Sequence, residues 1–342
     1  MTSISLSKAE KSFIQAGLLS NPPSRPDGRS LLDFRAVALE TGVAPLANGS
    51  ARLNIGRTHD GGGGTEVLAA SKLEVENISE EGVEGGRIVC TVSCSPAAYP
   101  HLSSGALDDL QHDMSAILHQ TVSHPSLHPS NLGILARKKS WLLNLDIVVL
   151  SDSGNIYDAL FMAARAALWD TKVPRTRSVE YKTRKGGMGA AAGGERAGGS
   201  GDMDLDEDIP SGFDTRHITN MTDFELPDYW DEGEVLDGRD GWPVCITLNL
   251  EPPVHYLDAI AQEEASTPLR LLLMFSFPPS APSYVQAMRI MGPGELSLTQ
   301  LKDLVELGEK YAGDLCSSLN AKLKEEDIRR NPKARDRFEQ HR

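Results

Sequence analysis

Residues Leu145 to Leu168 read LDIVVLSDSGNIYDALFMAARAAL: an apolar β-branched run, a tight turn with one glycine, then a helical pattern. A glycine turn feeding a helix can hold a phosphate, because free N–H groups and the helix dipole favour an anion there. The residue types here argue against that chemistry. The turn Ser151-Asp152-Ser153-Gly154-Asn155 carries a carboxylate, and Asp158 adds a second in the first helical turn. No Lys or Arg follows until Arg165, well inside the helix. Carboxylates suit the dipole but repel phosphate, so a structural strand–turn–helix is expected.

Four other groups of residues bear on chemistry. DGGGGTEV (Asp60–Val67) lacks the Gly-Lys-Ser/Thr ending of a nucleotide loop and reads as a hairpin tip. His112, His119, His124 and His128 lie near Asp109 and Asp113, which is compatible with a metal site. Prolines after His124 and His128 break any shared helix, so surface histidines are expected. YLDAIAQEEAS places Asp258, Glu263 and Glu264 close together; paired carboxylates can hold Mg²⁺ or act as acid and base. Taken alone, it reads as a solvated turn beginning a strand. LARKKSWLL sets Arg137, Lys138 and Lys139 beside Trp141, a pattern that suits a nucleic-acid backbone or an acidic partner.

The net charge is −14, but it is not spread evenly. Asp202 to Asp240 contains fourteen Asp/Glu against two Arg, a net of −12, which leaves the rest close to −2. A nearly neutral body offers little general affinity for nucleic acid, although a local basic face is allowed. Cys90, Cys94, Cys245 and Cys316 form no Cys-x-x-Cys pair, and buried reduced thiols are expected. No apolar run reaches the ~18–20 residues of a membrane span, and the N-terminus lacks secretory features. The chain is expected to be soluble and intracellular, with no membrane partner.

The elements that must position these residues follow from periodicity. Residues 1–20 suggest a short helix capped by Ser5 or Ser7. SARLNIGRT, GRIVCTVSCS and WLLNLDIVVL alternate or run apolar as strands, with a helix over ALDDLQHDMSAILHQTV. After a basic stretch, 186–212 is Gly-rich and then acidic, and reads as a disordered insertion. PVCITLNL, VHYLDAI, LRLLLMFSF and YVQAMRIMG suggest four more strands before a long helix from about Ser297. The layout is two α+β halves.

RPDGRSLLDFR, NGSARLNIGRT, LDIVVLSDSGNIYDALFMAARAAL, TKVPR and YLDAIAQEEAS, in this order, resemble the RNase PH family over roughly residues 5–182 and 242–316. Within it the chain looks most similar to the non-catalytic ring subunits of the eukaryotic RNA exosome. The resemblance implies two βαβ-type halves, like the second domain of ribosomal protein S5. The chain is then expected to divide into a segment 1–30 with the N-terminal helix and its turn, an RNase PH-like first domain 31–182 and second domain 241–320, and, from composition, a disordered Gly-rich then acidic insertion 183–240 and a charged tail 321–342 that is a frayed helix end followed by solvated chain. Implied partners are other RNase PH-like ring subunits, cap proteins, and RNA threading the central channel.

Catalytic members attack RNA with inorganic phosphate, held by an Arg of the turn, and use acidic residues of the second domain. By resemblance, the phosphate-binding Arg position is Tyr157 here, the first carboxylate falls at Glu264, and the second at Arg270. No catalytic residue, cofactor or metal is therefore implied, and Arg57, Arg137, Lys138 and Lys139 are the expected RNA or partner contacts. The implied role is support of 3'-to-5' RNA processing and degradation in nucleus, nucleolus and cytoplasm. The alternatives are an active phosphate-dependent exoribonuclease using Asp258 and Glu264, and a free-standing RNA-binding module.

Overall fold

A computed structural model describes residues 6–57, 63–78, 85–136, 138–179, 182–183, 217–218, 223–226, 233–279 and 281–330. Ser7 starts helix α1 (Lys8–Leu18) through a capping box. Its hydroxyl accepts the Glu10 N–H at 3.2 Å, and the Glu10 carboxylate accepts the Ser7 N–H at 2.7 Å. The buried side of α1, Ile14 and Leu18, packs on Tyr256 and Ala259, far along the chain.

The first half contains β1 (Val37–Thr41), β2 (Gly49–Ile55), β3 (Thr65–Asn77), β4 (Arg87–Cys94), α2 (Ser104–Val122), β5 (Gly133–Leu135), β6 (Lys139–Ser151) and α3 (Ile156–Asp170). The sheet runs β1-β2-β3-β6-β4, with β5 also on β6. Among the described residues only β4 and β6 are parallel, and α2 lies in their crossover. Residues 58–62 of the glycine-rich tip lie outside the described residues; the flanking β2–β3 hairpin pairs Ile55 with Thr65.

Helix α2 also closes the outer edge of β4. Gln111, Ser115 and His119 accept the N–H groups of Cys94, Val92 and Cys90 at 2.7, 2.9 and 3.4 Å. Four helical residues rise about 6 Å and two strand residues about 6.6 Å, so the two spacings match. Ile88, Cys90, Val92 and Cys94 face the core, as the alternation implies. Burial pushes the Cys90 thiol up to about 12 and Cys94 up to about 11, so neither is a ready thiolate.

From Ile156 to Trp169 every residue of α3 is buried. The helix is enclosed because both halves pack on it, and Ala159, Ala163, Ala166 and Ala167 allow close approach. The second half contains β13 (Val244–Glu251), β14 (Val254–Tyr256), α4 (Ala261–Ser266), β15 (Arg270–Ser276), β16 (Tyr284–Met291) and α5 (Leu298–Arg330). Its antiparallel sheet runs β14-β13-β15-β16. One continuous apolar core joins the two halves. Among the described residues no helix is long and apolar enough to cross a membrane.

Two boundaries differ from the sequence expectation. Between the halves, β7 (Lys172–Val173), β8 (Arg177–Val179) and β9 (Lys182–Thr183) run outward. They pair antiparallel with the returning β12 (Glu234–Val235), β11 (Asp223–Glu225) and β10 (His217–Ile218). The returning end of the expected disordered insertion 183–240 is thus one side of a two-stranded ribbon whose other side is the end of the expected first domain, so that a basic strand meets an acidic one. Residues 184–216 lie outside the described residues. The expected tail from 321 is helical to Arg330, because it docks on α3: Leu323 is buried, Trp169 Nε1 donates to Asp327 at 2.9 Å, and Arg330 pairs with Asp170. Residues 331–342 lie outside the described residues.

Asp158, in the first turn of α3, is completely buried and takes one hydrogen bond from Thr247 Oγ1 at 2.7 Å. Burial pushes its carboxyl from 3.8 up to about 7. The folded chain therefore holds this proton more tightly than the unfolded chain does. Its contribution is most favourable below pH 3.8 and is lost as pH rises to about 7. Asp158→Asn removes that loss. In denaturant titrations the variant is expected to gain on wild type by a few kcal/mol (roughly) between pH 4 and pH 8. Parallel pH profiles for the two proteins would contradict this.

Candidate functional site

Three arginines from the turn-rich segment after α1 meet two carboxylates of the second half, Asp258 and Glu263. Asp258 stands in the turn before α4 with φ +45° and is fully buried. Its Oδ2 accepts the Arg35 backbone N–H at 2.7 Å, Arg35 Nε at 2.9 Å and Arg29 Nη1 at 2.8 Å. Its Oδ1 accepts Arg35 Nη2 at 2.7 Å and Asn155 Nδ2 at 3.0 Å. Burial alone would raise this carboxyl, but the hydrogen bonds and charge of Arg35, with Arg29 behind, hold it below the usual carboxylate range. Arg25 forms a buried fork on Glu263, at 2.9 and 2.6 Å, and donates to the carbonyls of Leu257 and Asp258. Burial opposes its charge, and Glu263 more than restores it.

The same cluster fixes the turn at the head of α3. Arg35 donates to the carbonyls of Ser153 and Gly154 at 3.1 and 3.0 Å. Gly154 has φ +96°, and a Cβ there would lie 2.4 Å from the Ala259 carbonyl oxygen, so only glycine fits. Asp152 accepts the Gly154 N–H and the Tyr99 hydroxyl, each at 2.8 Å.

The anion that a helix N-terminus attracts is supplied from within the chain. Glu264 Oε1 accepts the Asn155 N–H at 2.8 Å, and Oε2 lies 3.1 Å from Arg270 Nη1. Burial raises the Glu264 carboxyl, with Arg270 opposing. Tyr157 is buried and donates its hydroxyl to Asp113 at 3.2 Å, while Asp113 pairs with Arg289 of β16 at 2.7 Å. Burial, then Asp113, pushes the phenol upward, so it stays a neutral donor. Tyr157, Glu264 and Arg270 thus come to one place, where each is already engaged by another side chain of the protein.

The expected solvated turn at YLDAIAQEEAS is instead buried, and runs into α4 rather than into a strand. The charges of Asp258 and Glu263 are matched from more than 200 residues upstream, a pairing that local sequence does not display. Arg25, Arg29 and Arg35 entered the sequence reading only within a family motif and Glu263 only as one of three neighbouring carboxylates, while Arg289 was not singled out. The available signal was three arginines in RPDGRSLLDFR facing three acids in YLDAIAQEEAS.

The expected basic contacts do not converge. Arg57 borders an open cavity of about 650 Å³ with Arg29, Arg35 and Asp152. Lys139 lies at the opposite end of β3, which spans about 40 Å, and pairs with Asp223 at 3.3 Å. Lys138 sits in the turn before β6, and Arg137 lies outside the described residues. The four histidines line a cavity of about 770 Å³ beside β4. His119 Nδ1 accepts from the Cys90 N–H and His128 Nε2 donates to the Gly86 carbonyl, so two of them serve the edge of the sheet. No group of three His, Cys, Asp or Glu suited to a metal occurs among the described residues.

Residues 33–174 match the sequence model of the 3' exoribonuclease family, domain 1. The chain carries an RNase PH domain. A Dictyostelium discoideum protein named "Putative exosome complex exonuclease RRP42" is 30% identical over 223 residues, 51% of this chain and 66% of its own length. The Methanothermobacter thermautotrophicus "Exosome complex component Rrp42" is 31% identical over 157 residues, 46% of this chain and 55% of its own. The matches therefore span between about half and two thirds of these curated relatives. A chain of the Archaeoglobus fulgidus exosome with RNA bound to the active site superposes with TM-score 0.62 at 20% identity, covering 91% of this chain and 97% of that one. An archaeal exosome core gives TM-score 0.60 at 19% identity. At these identities the likeness is one of fold: the RNase PH domain and the second half together have the RNase PH-like architecture.

Removing Asp258 strands two arginines in a partly buried place, which costs about 3–5 kcal/mol for a broken buried pair. Asp258→Ala is expected to lower unfolding stability by that order. It should also expose the 25–35 segment to limited proteolysis. A loss below about 1 kcal/mol, the range of exposed pairs, would show that the cluster does not fasten this segment.

Proposed function

We propose that this chain is a non-catalytic subunit of an exosome-type ring. It would hold RNase PH-like neighbours and cap proteins and border the RNA channel. In that role it supports 3'-to-5' RNA processing and degradation, including ribosomal RNA maturation and mRNA turnover, in nucleus, nucleolus and cytoplasm. The observation that carries this reading is the occupied site. Where a phosphate-binding Arg would stand there is Tyr157, a buried neutral phenol bound to Asp113. A phenol offers one donor and no positive charge, whereas a guanidinium offers a planar fork to phosphate. Where a second carboxylate would help hold a cation there is Arg270, which neutralises Glu264. The N–H that would greet an anion at the head of α3 is taken by Glu264.

The surface supports a partner-holding role. Strand β16 ends its sheet, and Val285, Met288 and Ile290 on it are between 42% and 46% exposed. A bulge at Met274/Phe275 puts all three on one face, opposite Phe275, Leu273 and Leu271. An exposed apolar edge strand invites strand addition from another chain.

The test is an assay of the purified chain with a poly(A) oligomer, Mg²⁺ and phosphate, measuring nucleoside diphosphate release, beside co-purification with RNase PH-like subunits. No release above background and stable co-purification are expected. Ile290→Lys should weaken co-purification without changing the melting temperature. Robust release that disappears in Glu264→Gln would favour the active exoribonuclease instead. A lone monomer recovered from cells would favour the free-standing module.

A further inference from the structure

The ribbon between the two halves is not a neutral linker. Its outgoing strand carries Lys172, Arg175 and Arg177, and its returning strand carries Asp223, Glu225 and Glu234. Arg175 Nε lies 3.0 Å from Glu234 Oε1, and Arg177 stands directly opposite Glu225 in the ladder. The returning strand also reaches the start of β6. Asp223 takes Lys139 Nζ at 3.3 Å, and the Phe224 ring lies under the same ammonium, 5.3 Å from its centroid. Phe224 meets the Trp141 indole edge-on at 6.3 Å. Cations in a row beside an indole form a combination suited to a single-stranded nucleic acid, with phosphates on the cations and a base on the ring. Here a strand of carboxylates with one aromatic ring fills those places.

The contacts are built to be displaced. Side chains of the Lys139–Asp223 pair are 25% and 54% exposed, and those of Arg175–Glu234 are 54% and 56% exposed. Exposed pairs of this kind contribute little each and weaken with salt. The Arg25–Glu263 pair, with no exposed side-chain surface, is of the opposite kind. A tethered competitor still matters, because its effective concentration is high.

We propose that Lys139, Arg175 and Arg177 form a binding strip for the phosphate backbone of single-stranded RNA, and that the acidic returning strand occupies it as an intramolecular competitor. RNA binding at this face then requires the acidic strand to swing away, which uncovers Trp141 beside Lys139. The inference rests on the RNA-path reading above and adds a site and a control to it.

The experiment uses the full chain and a fluorescent single-stranded RNA oligomer, read by anisotropy over a salt series. The triple variant Asp223→Asn, Glu225→Gln, Glu234→Gln is expected to bind about tenfold more tightly than wild type at low salt, from two exposed ion pairs and the Glu225 charge facing Arg177. Its affinity should fall more steeply with salt, by about one counterion per freed cation. Adding Lys139→Ala, Arg175→Ala and Arg177→Ala should return binding to the wild-type level. A charge control, Glu295→Gln, Asp303→Asn, Glu306→Gln on exposed positions elsewhere, should leave affinity near wild type. Equal gains in both triple variants, no gain in the ribbon variant, or a gain that survives loss of the three cations would overturn the proposal. So would equally tight binding of poly(aspartate), which would make the strip a site for acidic proteins. Failure here with intact co-purification in the ring leaves the ring-subunit reading standing, whereas loss of co-purification in wild type removes that reading by itself.

Discussion

The Asp258 carboxylate is the point at which the molecule is fastened. It receives two arginines from the N-terminal segment and the side chain of Asn155 at the head of α3, so one buried charge joins three separate stretches of chain. Such a charge is tolerable only because its hydrogen-bond sites are filled. Its left-handed backbone, the glycine-only approach at Gly154, and the fork between Arg25 and Glu263 all follow from bringing these stretches to one place. Helix α3 can then run enclosed between the halves, with its polar head finished by the protein itself.

That arrangement also accounts for the state of the site. The fold sets a glycine turn at the N-terminus of a buried helix, a geometry suited to an anion. In this chain, Glu264 takes the helix amide, Arg270 balances Glu264, and Tyr157 turns to Asp113. On the function proposed above, the positions of a reactive centre would be kept as packing and charge balance. We read this as a scaffold in which the architecture is retained and the ligands are replaced by side chains.

Much of this was legible in the sequence. The strands alternate as written in SARLNIGRT and GRIVCTVSCS, and α3 follows its turn at the expected residue, because periodicity and turn chemistry are local signals. Asp152 and Asp158 were the local reasons to expect a structural turn, and the turn is finished by Asp152 on the Gly154 N–H and Glu264 on the Asn155 N–H. Asp258 and Glu263 were misplaced in solvent because their arginines lie far upstream, and burial by distant opposite charge leaves no local trace. The tail beyond residue 321 was read as a frayed helix end and then solvated chain because it is densely charged; Leu323 and the Trp169–Asp327 bond hold its helix down to Arg330. The ribbon escaped notice for a related reason. Its two strands are short and polar, and opposite charge across the ladder supplies what hydrophobic alternation does not.

The central claim, that the chain's own side chains fill the family's anion site, is most directly tested at the Asn155 backbone amide. Its NMR shift can be followed while inorganic phosphate is titrated into the purified chain. An Asn155 resonance that does not move, because Glu264 retains the amide, is the expected result. A saturable shift of Asn155, abolished by replacing Arg270, would show that phosphate reaches the site and would contradict the claim.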